Sequence, residues 1–495
     1  MKPYLLYECR EFVPLQPAAD LAFMEDLQVE PLLEAMSRGD RFVLETARKL
    51  VPRLEIEPSD ILYRQQMAAD CIRHPALIEE IYEIASRVEL QSADYRTQMK
   101  PSFSRNVSVV EKLKTAVALT EWIIQTLRTL RTMGKTRLGS DQTEGLNCLF
   151  RRLDEAYPDS FLSDAENHCR LLRQAVQERR LRIGASLGDG MKGTNYTLRQ
   201  VRAASKFSLL RRPGKSGSLR MAHSLAEIED SALANVLRIV KRFADDTLRF
   251  FDQLRFESSF YVGCVRLHET LAERGCEVAF PIPLPAHERC LSFSGLYDPG
   301  LALSQIGRLP VSNDWNGKGA LLLMISGTNQ GGKTTFLRSI GVAQLMMQCG
   351  LFVPASSFCA NVCDCMFTHF TREEDESMRS GKLDEELARL DGIVSHLTVR
   401  SLLLLNEPFA STTERDGSAI GKDLLSVCYA LQLKVCIVTH FYELADWAYS
   451  QQLDRADFLS PERGEEGYRS FKLQRRKPSP TSYGEDLYKR TLGGM

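Results

Sequence analysis

Through most of the first half of the chain, apolar residues recur at intervals of three and four. From Ile61 the run ILYRQQMAADCIRHPALIEEIYEIASRVE keeps that spacing. Pro58-Ser59-Asp60 is a helix-start signal, and Asp70 to Pro75 reads as a break between two helices. Residues 107–135 and 143–177 read as two more long amphipathic helices. In the first, Val110, Leu113, Val117, Leu119, Ile123 and Leu127 share a helical spacing. Another helical run extends from Ser224 to about Arg274, with no proline and no glycine before Gly263. At about 1.5 Å per residue it is a rod several tens of ångströms long. Pro281, Pro283 and Pro285 end the helical region. Residues 1–60 read as a mixed opening segment, with helical patterning around Leu32 to Leu50. The second half is different. Short runs of strand length, the apolar Leu321–Ile325 and Leu402–Leu405 and the lysine-led Lys434–Val438, are each followed by polar residues.

A chain of 495 residues exceeds one compact core, so two to four domains are expected. The hydrophobic fraction of 44% and charged fraction of 26% are those of an ordinary globular protein. Net charge is −1, so any nucleic-acid surface has to be a local patch. Residues 179–220 provide one. They are rich in Gly, Ser and cations, including Arg199, Arg202, Lys206, Arg211, Arg212 and Lys215, against a single acid, Asp189. Tyr196–Val201 and Lys206–Leu210 read there as short strands. Such a patch suits a phosphate backbone, where Lys and Arg displace counterions; the plainer reading is a solvated loop. The thirteen cysteines lie scattered in apolar contexts, as in a reducing cytosol. Cys359, Cys363 and Cys365 cluster, but without a matching second pair or His set they read as buried strand cysteines rather than as a zinc site. No apolar run approaches a membrane span, and the N-terminus acquires acidic charge too early for a secretory signal. A cytoplasmic protein is expected.

The most informative stretch is Gly327-Thr328-Asn329-Gln330-Gly331-Gly332-Lys333-Thr334-Thr335. It fits the phosphate-loop pattern G-x-x-x-x-G-K-[ST]. An apolar strand precedes it and a helical run, Phe336 to Met347, follows, which is the context such a loop needs. Glycines let backbone N–H groups wrap phosphate oxygens, and the helix N-terminus adds positive potential. Lys333 can reach the outer phosphates and the Thr334 hydroxyl can ligate Mg²⁺. Leu402–Leu405 ends in Asn406-Glu407. Glu407 is placed to polarise a water. Asn406 stands where a cation-orienting aspartate would serve, and a unit charge about 4 Å from a cation is worth roughly 4 kcal/mol at an effective dielectric of 20. Mg²⁺ handling is therefore expected to be weakened but not abolished. Lys434–Val438 ends in Thr439-His440, where a histidine can contact the outermost phosphate. Ser380-Gly381-Lys382 precedes a helix starting near Leu383 and is a further anion-binding turn.

With these pieces in order, the chain resembles the MutS family of DNA mismatch-repair ATPases. The residues that carry the likeness are SGTNQGGKTTFLRSIG from Ser326, Gly350–Ala355 (GLFVPA), Asn406–Gly417 (NEPFASTTERDG), Thr439–Leu444 (THFYEL), Ser482-Tyr483-Gly484 and Asn313-Asp314. The likeness is strong over about 290–490 and weaker over 60–280. It implies a multidomain chain: an N-terminal segment (1–60), an α-helical core and lever domain with a small clamp insertion (61–285, basic tip near 179–220), and an α/β P-loop ATPase domain of ABC type (286–495). It also implies ATP and Mg²⁺ as ligands, Asn313 beside the base, Ser380 touching ATP on a second subunit, and a homodimer. Fewer than about sixty residues precede the helical core, so the family's mismatch-reading wedge and connector domain are expected to be missing.

The function expected is a cytoplasmic, dimeric ATPase that clamps duplex or branched DNA in repair or recombination. Catalysis falls to Lys333, Glu407 and His440, and Mg²⁺ to Thr334 and Asn406. An ATP-dependent binding module for structured RNA or ribosomes is the alternative, and a nucleotide-gated protein scaffold is a third.

Overall fold

The computed structural model describes residues 1–10, 22–100, 107–137, 144–178, 181–187, 193–201, 218–305, 307–327, 331–371, 381–463 and 469–480. The chain begins with α1 (Ala22–Asp26), α2 (Glu30–Ser37), α3 (Arg41–Leu50), α4 (Pro58–Arg73), α5 (Pro75–Gln91) and α6 (Ala93–Gln98). Next come α7 (Val109–Arg137), α8 (Glu144–Ala156), α9 (Asp159–Glu178), strands β1 (Leu181–Leu187) and β2 (Gly193–Val201), and α10 (Ser218–Glu273). The later half alternates: β3 (Ile282–Leu284), β4 (Leu291–Leu296), α11 (Pro299–Ser304), β5 (Asn313–Asn316), β6 (Leu322–Ser326), α12 (Lys333–Gln348), β7 (Ser357–Asn361) and β8 (Met366–Phe370). It closes with α13 (Lys382–Val394), β9 (Leu402–Asn406), α14 (Glu414–Ala430), β10 (Lys434–Thr439), α15 (Tyr442–Ser450), β11 (Ala456–Arg463) and β12 (Arg469–Arg475). No described helix is long and apolar enough to cross a membrane.

The helices and strands form two compact units. The first holds Met1–Leu5 and His74–Ser259. Its centre is α7, whose Leu113, Ala116, Val117, Ile123, Ile124, Leu127 and Leu130 are all buried. Gly134 lets α8 approach closely: a Cβ there would lie 2.4 Å from the Phe150 ring. Arg131, nearly buried, donates to Asp154 at 2.6 Å and Asp159 at 2.7 Å, which ties α7 to α8 and to the start of α9. The single helix expected over 143–177 is in fact two. Apolar spacing runs through the junction, but Pro158 disfavours α geometry at the residue before it. Helix α8 therefore stops at Ala156, and the Pro158 carbonyl accepts from Leu162 N as α9 begins. After α9, β1 and β2 form an antiparallel ribbon. Tyr196–Val201 lies on β2, whereas the strand expected at Lys206–Leu210 falls outside the described residues.

The second unit holds Leu6–Arg73 and Phe260–Met495. Its larger sheet has the order β12-β11-β6-β10-β9-β8, parallel throughout except for the β11–β12 pair. Strands β6, β9 and β10 are buried along their whole length, as expected of strands covered on both faces. The smaller sheet, β3-β7-β4-β5, has Pro283 on its edge strand, where a missing N–H is tolerated. From Leu6 onward, the described part of the opening segment belongs to this unit. Thr368 on β8 donates to Asp26 at 2.7 Å, and the Gln348 amide at the end of α12 donates to Glu55 O at 3.0 Å. Arg64 is fully buried. Its guanidinium lies over the Tyr7 ring and donates to Leu6 O and Cys349 O.

Candidate nucleotide site

Strands β6, β10 and β9 are neighbours, so their C-terminal ends bring three separate sequence motifs to one edge. Crevices at that edge are where open α/β sheets bind ligands. β6 ends at Ser326 and Gly327 turns the chain with φ 135°. Thr328, Asn329 and Gln330 lie outside the described residues. Gly331 and Gly332 then lead into α12, with Gly332 as its N-cap at φ 81°. Both positive angles favour glycine, which has no Cβ to strain them. At Gly327 the space is tight as well, since a Cβ there would lie 2.8 Å from Pro461, whereas one on Gly332 would make ordinary contact with the Phe471 ring at 3.4 Å.

Lys333, the first residue of α12, is only 3% exposed. Its Nζ donates to Gly327 O and lies 3.7 Å from Glu407 Oε1. Burial pushes the lysine pKa down, against the pull of Glu407. Thr334 Oγ1 donates to Asn406 Oδ1 at 2.9 Å, which joins the start of α12 to the end of β9. Glu407 follows in left-handed backbone, φ 51°, and its N–H donates to Val438 O on β10 at 2.8 Å. Its Oε2 lies 3.7 Å from His440 Nδ1, at the end of β10 and beyond direct hydrogen-bond length. The His440 imidazole first, and then the Lys333 ammonium, hold the Glu407 carboxyl below its usual pKa despite burial.

Thr335 and Asn313 line a cavity of about 370 Å³ beside the glycine turn, together with Tyr297, Phe336 and Phe471. Asn313 also has a structural duty. Its Oδ1 accepts from Leu473 N at 2.8 Å and its Nδ2 donates to Phe471 O at 3.4 Å, so it positions the aromatic wall. Asp314 accepts from Gly295 N at 2.7 Å and Ser294 Oγ at 2.9 Å, and these bonds depress its pKa. Phe471, Pro461 and Thr371 are site residues that the sequence alone does not reveal. Thr371 Oγ1 donates to the carbonyls of both Asn406 and Glu407, at 3.1 and 2.9 Å. No local pattern marks these three, because each reaches the site from a distant part of the chain. Ser380 lies outside the described residues; α13 begins two residues later.

The groups present fit a magnesium nucleotide. A buried ammonium lies beside two glycines, an aromatic-walled cavity adjoins it, and a hydroxyl and an amide oxygen face each other near a carboxylate. These oxygens are hard donors of the kind Mg²⁺ accepts, directly or through water.

Residues 57–274 match the model of the MutS2 N-terminal domain, and residues 323–487 match MutS domain V. The chain belongs to the MutS family. Among its curated relatives, the DNA mismatch repair protein MutS of Synechocystis sp. is 30% identical over 167 residues, covering 30% of this chain and 19% of that protein. The MutS of Thermosynechococcus vestitus is 31% identical over 176 residues, 35% of this chain and 20% of that protein. The MutS of Microcystis aeruginosa is 34% identical over 128 residues, 26% and 14%. The chain thus matches about a fifth or less of these relatives' length. Lys333, Thr334, Asn406, Glu407 and His440 all fall inside the segment matching MutS domain V, while Asn313 lies before it. Of the basic residues singled out, Arg199 is on β2; Arg202, Lys206, Arg211, Arg212 and Lys215 lie outside the described residues. All six fall within the part that matches the MutS2 N-terminal domain.

Proposed function

We propose that this MutS-family chain binds Mg·ATP at the edge formed by β6, β9 and β10, hydrolyses it, and uses the cycle to control its grip on DNA. The observation that carries the reading is the approach of Lys333 and His440 to Glu407, each at 3.7 Å, beside the Thr334–Asn406 pair. ATP supplies the phosphoanhydride that water cleaves. Lys333 and the N–H groups of Gly331 to Thr335 neutralise the phosphates, with Thr328, Asn329 and Gln330 completing the loop. Thr334 and Asn406 hold the shell of Mg²⁺. Glu407, ionised and aimed at the same edge, orients and deprotonates the attacking water. His440 faces the outermost phosphate and registers its loss. The cavity walled by Phe336 and Phe471, with Asn313 behind, takes the base.

In this reading the chain works as a cytoplasmic homodimer. Ser380 and the start of α13 touch ATP bound to the second copy, and the clamp is the β1–β2 ribbon with the basic stretch around residues 179–220. The named relatives are DNA mismatch repair proteins, which favours DNA as the ligand. Phosphate contacts position a duplex without reading its sequence, so we propose DNA binding without selectivity for a mismatch. The test is a binding panel at fixed salt: plain, mismatched and branched duplexes and structured RNA, each with and without a non-hydrolysable ATP analogue. The reading expects a nucleotide-dependent change in DNA affinity, with mismatched and plain duplexes equal. A preference for RNA, or binding indifferent to nucleotide, overturns it.

A further inference from the structure

Glu407 and Phe409 both adopt left-handed backbone, with φ 51° and 64°. Neither is glycine, so the turn after β9 is strained, and strain of this kind persists only where neighbours fix it. Two of the fixing contacts come from the sheet: Glu407 N donates to Val438 O at 2.8 Å, and Thr371 Oγ1 donates to Glu407 O at 2.9 Å. Two more come from one carboxylate on α13, beside the turn's own bonds from Ala410 N to Glu407 O and from Thr412 N to Phe409 O. Glu386 Oε1 accepts from Phe409 N at 2.6 Å, and Oε2 accepts from Ser411 Oγ at 2.7 Å. A carboxylate receiving such bonds makes them about twice as strong as neutral ones.

Glu386 is itself aimed by a histidine. His369 is fully buried on β8, with Nε2 3.1 Å from Glu386 Oε1 and Nδ1 3.3 Å from an Arg389 guanidinium nitrogen. A guanidinium only donates, so Nδ1 accepts and Nε2 carries the proton given to Glu386. The same Arg389 nitrogen donates to Phe370 O at 2.6 Å, which holds the arginine against β8. Burial works to raise the Glu386 pKa, but the bonds from His369, Ser411 and Phe409 N outweigh it and leave it below the usual range.

We propose that Glu386, steered by His369, is a positioning residue that holds the strained turn carrying Glu407 in the shape needed for turnover. The proposal rests on Glu407 directing water. Helix α13 would thereby set the geometry of the water-directing carboxylate although none of its side chains joins the Lys333, Glu407 and His440 cluster of the same chain.

The experiment compares Glu386→Ala with wild type in two ways. In steady-state ATP turnover, kcat is expected to fall about tenfold or more while KM and nucleotide affinity stay within about threefold. In a Glu407→Gln background, Glu386→Ala should then lower turnover no further. In hydrogen exchange followed by mass spectrometry, the peptide spanning 406–413 should exchange about tenfold faster, with the 434–439 peptide unchanged. Should the alanine variant not fold, Glu386→Gln, which keeps the size and one acceptor oxygen, is read the same way, with about threefold effects expected. Equal loss of kcat and nucleotide affinity, or unaltered exchange in the turn, overturns the proposal. The exchange arm needs no turnover. A wild-type chain inert towards ATP therefore sinks the reading of the site, and the Glu386 turn is then judged on exchange alone.

Discussion

Thr334 Oγ1 donates to Asn406 Oδ1 at 2.9 Å, so the hydroxyl and amide expected to share a cation already face each other across the junction of α12 and β9. Both groups are neutral. Replacing Asn406 with Asp adds a charge worth at most about 4 kcal/mol to a nearby cation, and less through an intervening water. The Mg²⁺ concentration for half-maximal ATP turnover should fall at least about tenfold in Asn406→Asp. A Mg²⁺ titration with an unchanged midpoint would remove Asn406 from the cation site.

Lys434 gives a prediction about stability. It is almost wholly buried at the start of β10 and donates to Cys290 O at 2.7 Å and to Asn361 Oδ1. Burial depresses its pKa from 10.5 to about 8. A lysine with a lowered folded pKa costs stability at neutral pH. The folded chain gives up the proton first, so that cost is relieved as pH rises from about 8 towards 10.5. The neighbouring thiols Cys363 and Cys436, pushed up to about 12, act in the opposite direction. The informative quantity is therefore the difference between wild type and Lys434→Met. Over that pH interval the wild type should gain on the variant by on the order of 3 kcal/mol, measured by denaturant unfolding. A difference that does not vary with pH would contradict the buried charge.

Two glycines separate backbone strain from steric crowding. Gly39 and Gly350 share φ 86°, but a Cβ on Gly39 meets nothing within 4 Å, whereas one on Gly350 would lie 2.3 Å from the Arg64 Cβ. Gly39→Ala should cost about 1–2 kcal/mol, the penalty of left-handed backbone alone. Gly350→Ala must also displace the buried arginine that ties Leu6 and Cys349 together, and should cost at least about 2 kcal/mol more. Thermal unfolding of the pair tests this; equal destabilisation would count against the packing described.

These cases show what could be read from the residues themselves. The strand–glycine–helix order at Gly327 to Thr335 and the strand ends at Asn406-Glu407 and Thr439-His440 are local patterns, each complete within about ten residues, and the sheet order brings them together. The break at Pro158 is also present in the sequence, but continuous apolar spacing on either side masks it. Phe471 against Gly332, Arg64 under Gly350 and Glu386 beneath Phe409 are not legible there, because each joins positions that only the folded chain makes adjacent. The packing of α1 on β8 through Asp26 and Thr368 is hidden for the same reason.

The proposed clamp makes its own prediction. Removing one cation from the phosphate backbone lowers the salt dependence of DNA binding by about one unit of slope. Charge reversal of Arg211 and Arg212 together should flatten the plot of log affinity against log salt by about two units and leave ATP turnover without DNA unchanged. A slope equal to that of wild type would place the DNA elsewhere.

Glu407 lies between Lys333 and His440 on a strained turn, and the proposed hydrolysis turns on its carboxylate. Glu407→Gln keeps its size and removes its charge and basicity. Single-turnover ATP hydrolysis, measured beside nucleotide affinity, tests the assignment most directly. Affinity within about threefold of wild type with hydrolysis slowed at least about a hundredfold is the result expected. Hydrolysis at the wild-type rate would contradict it.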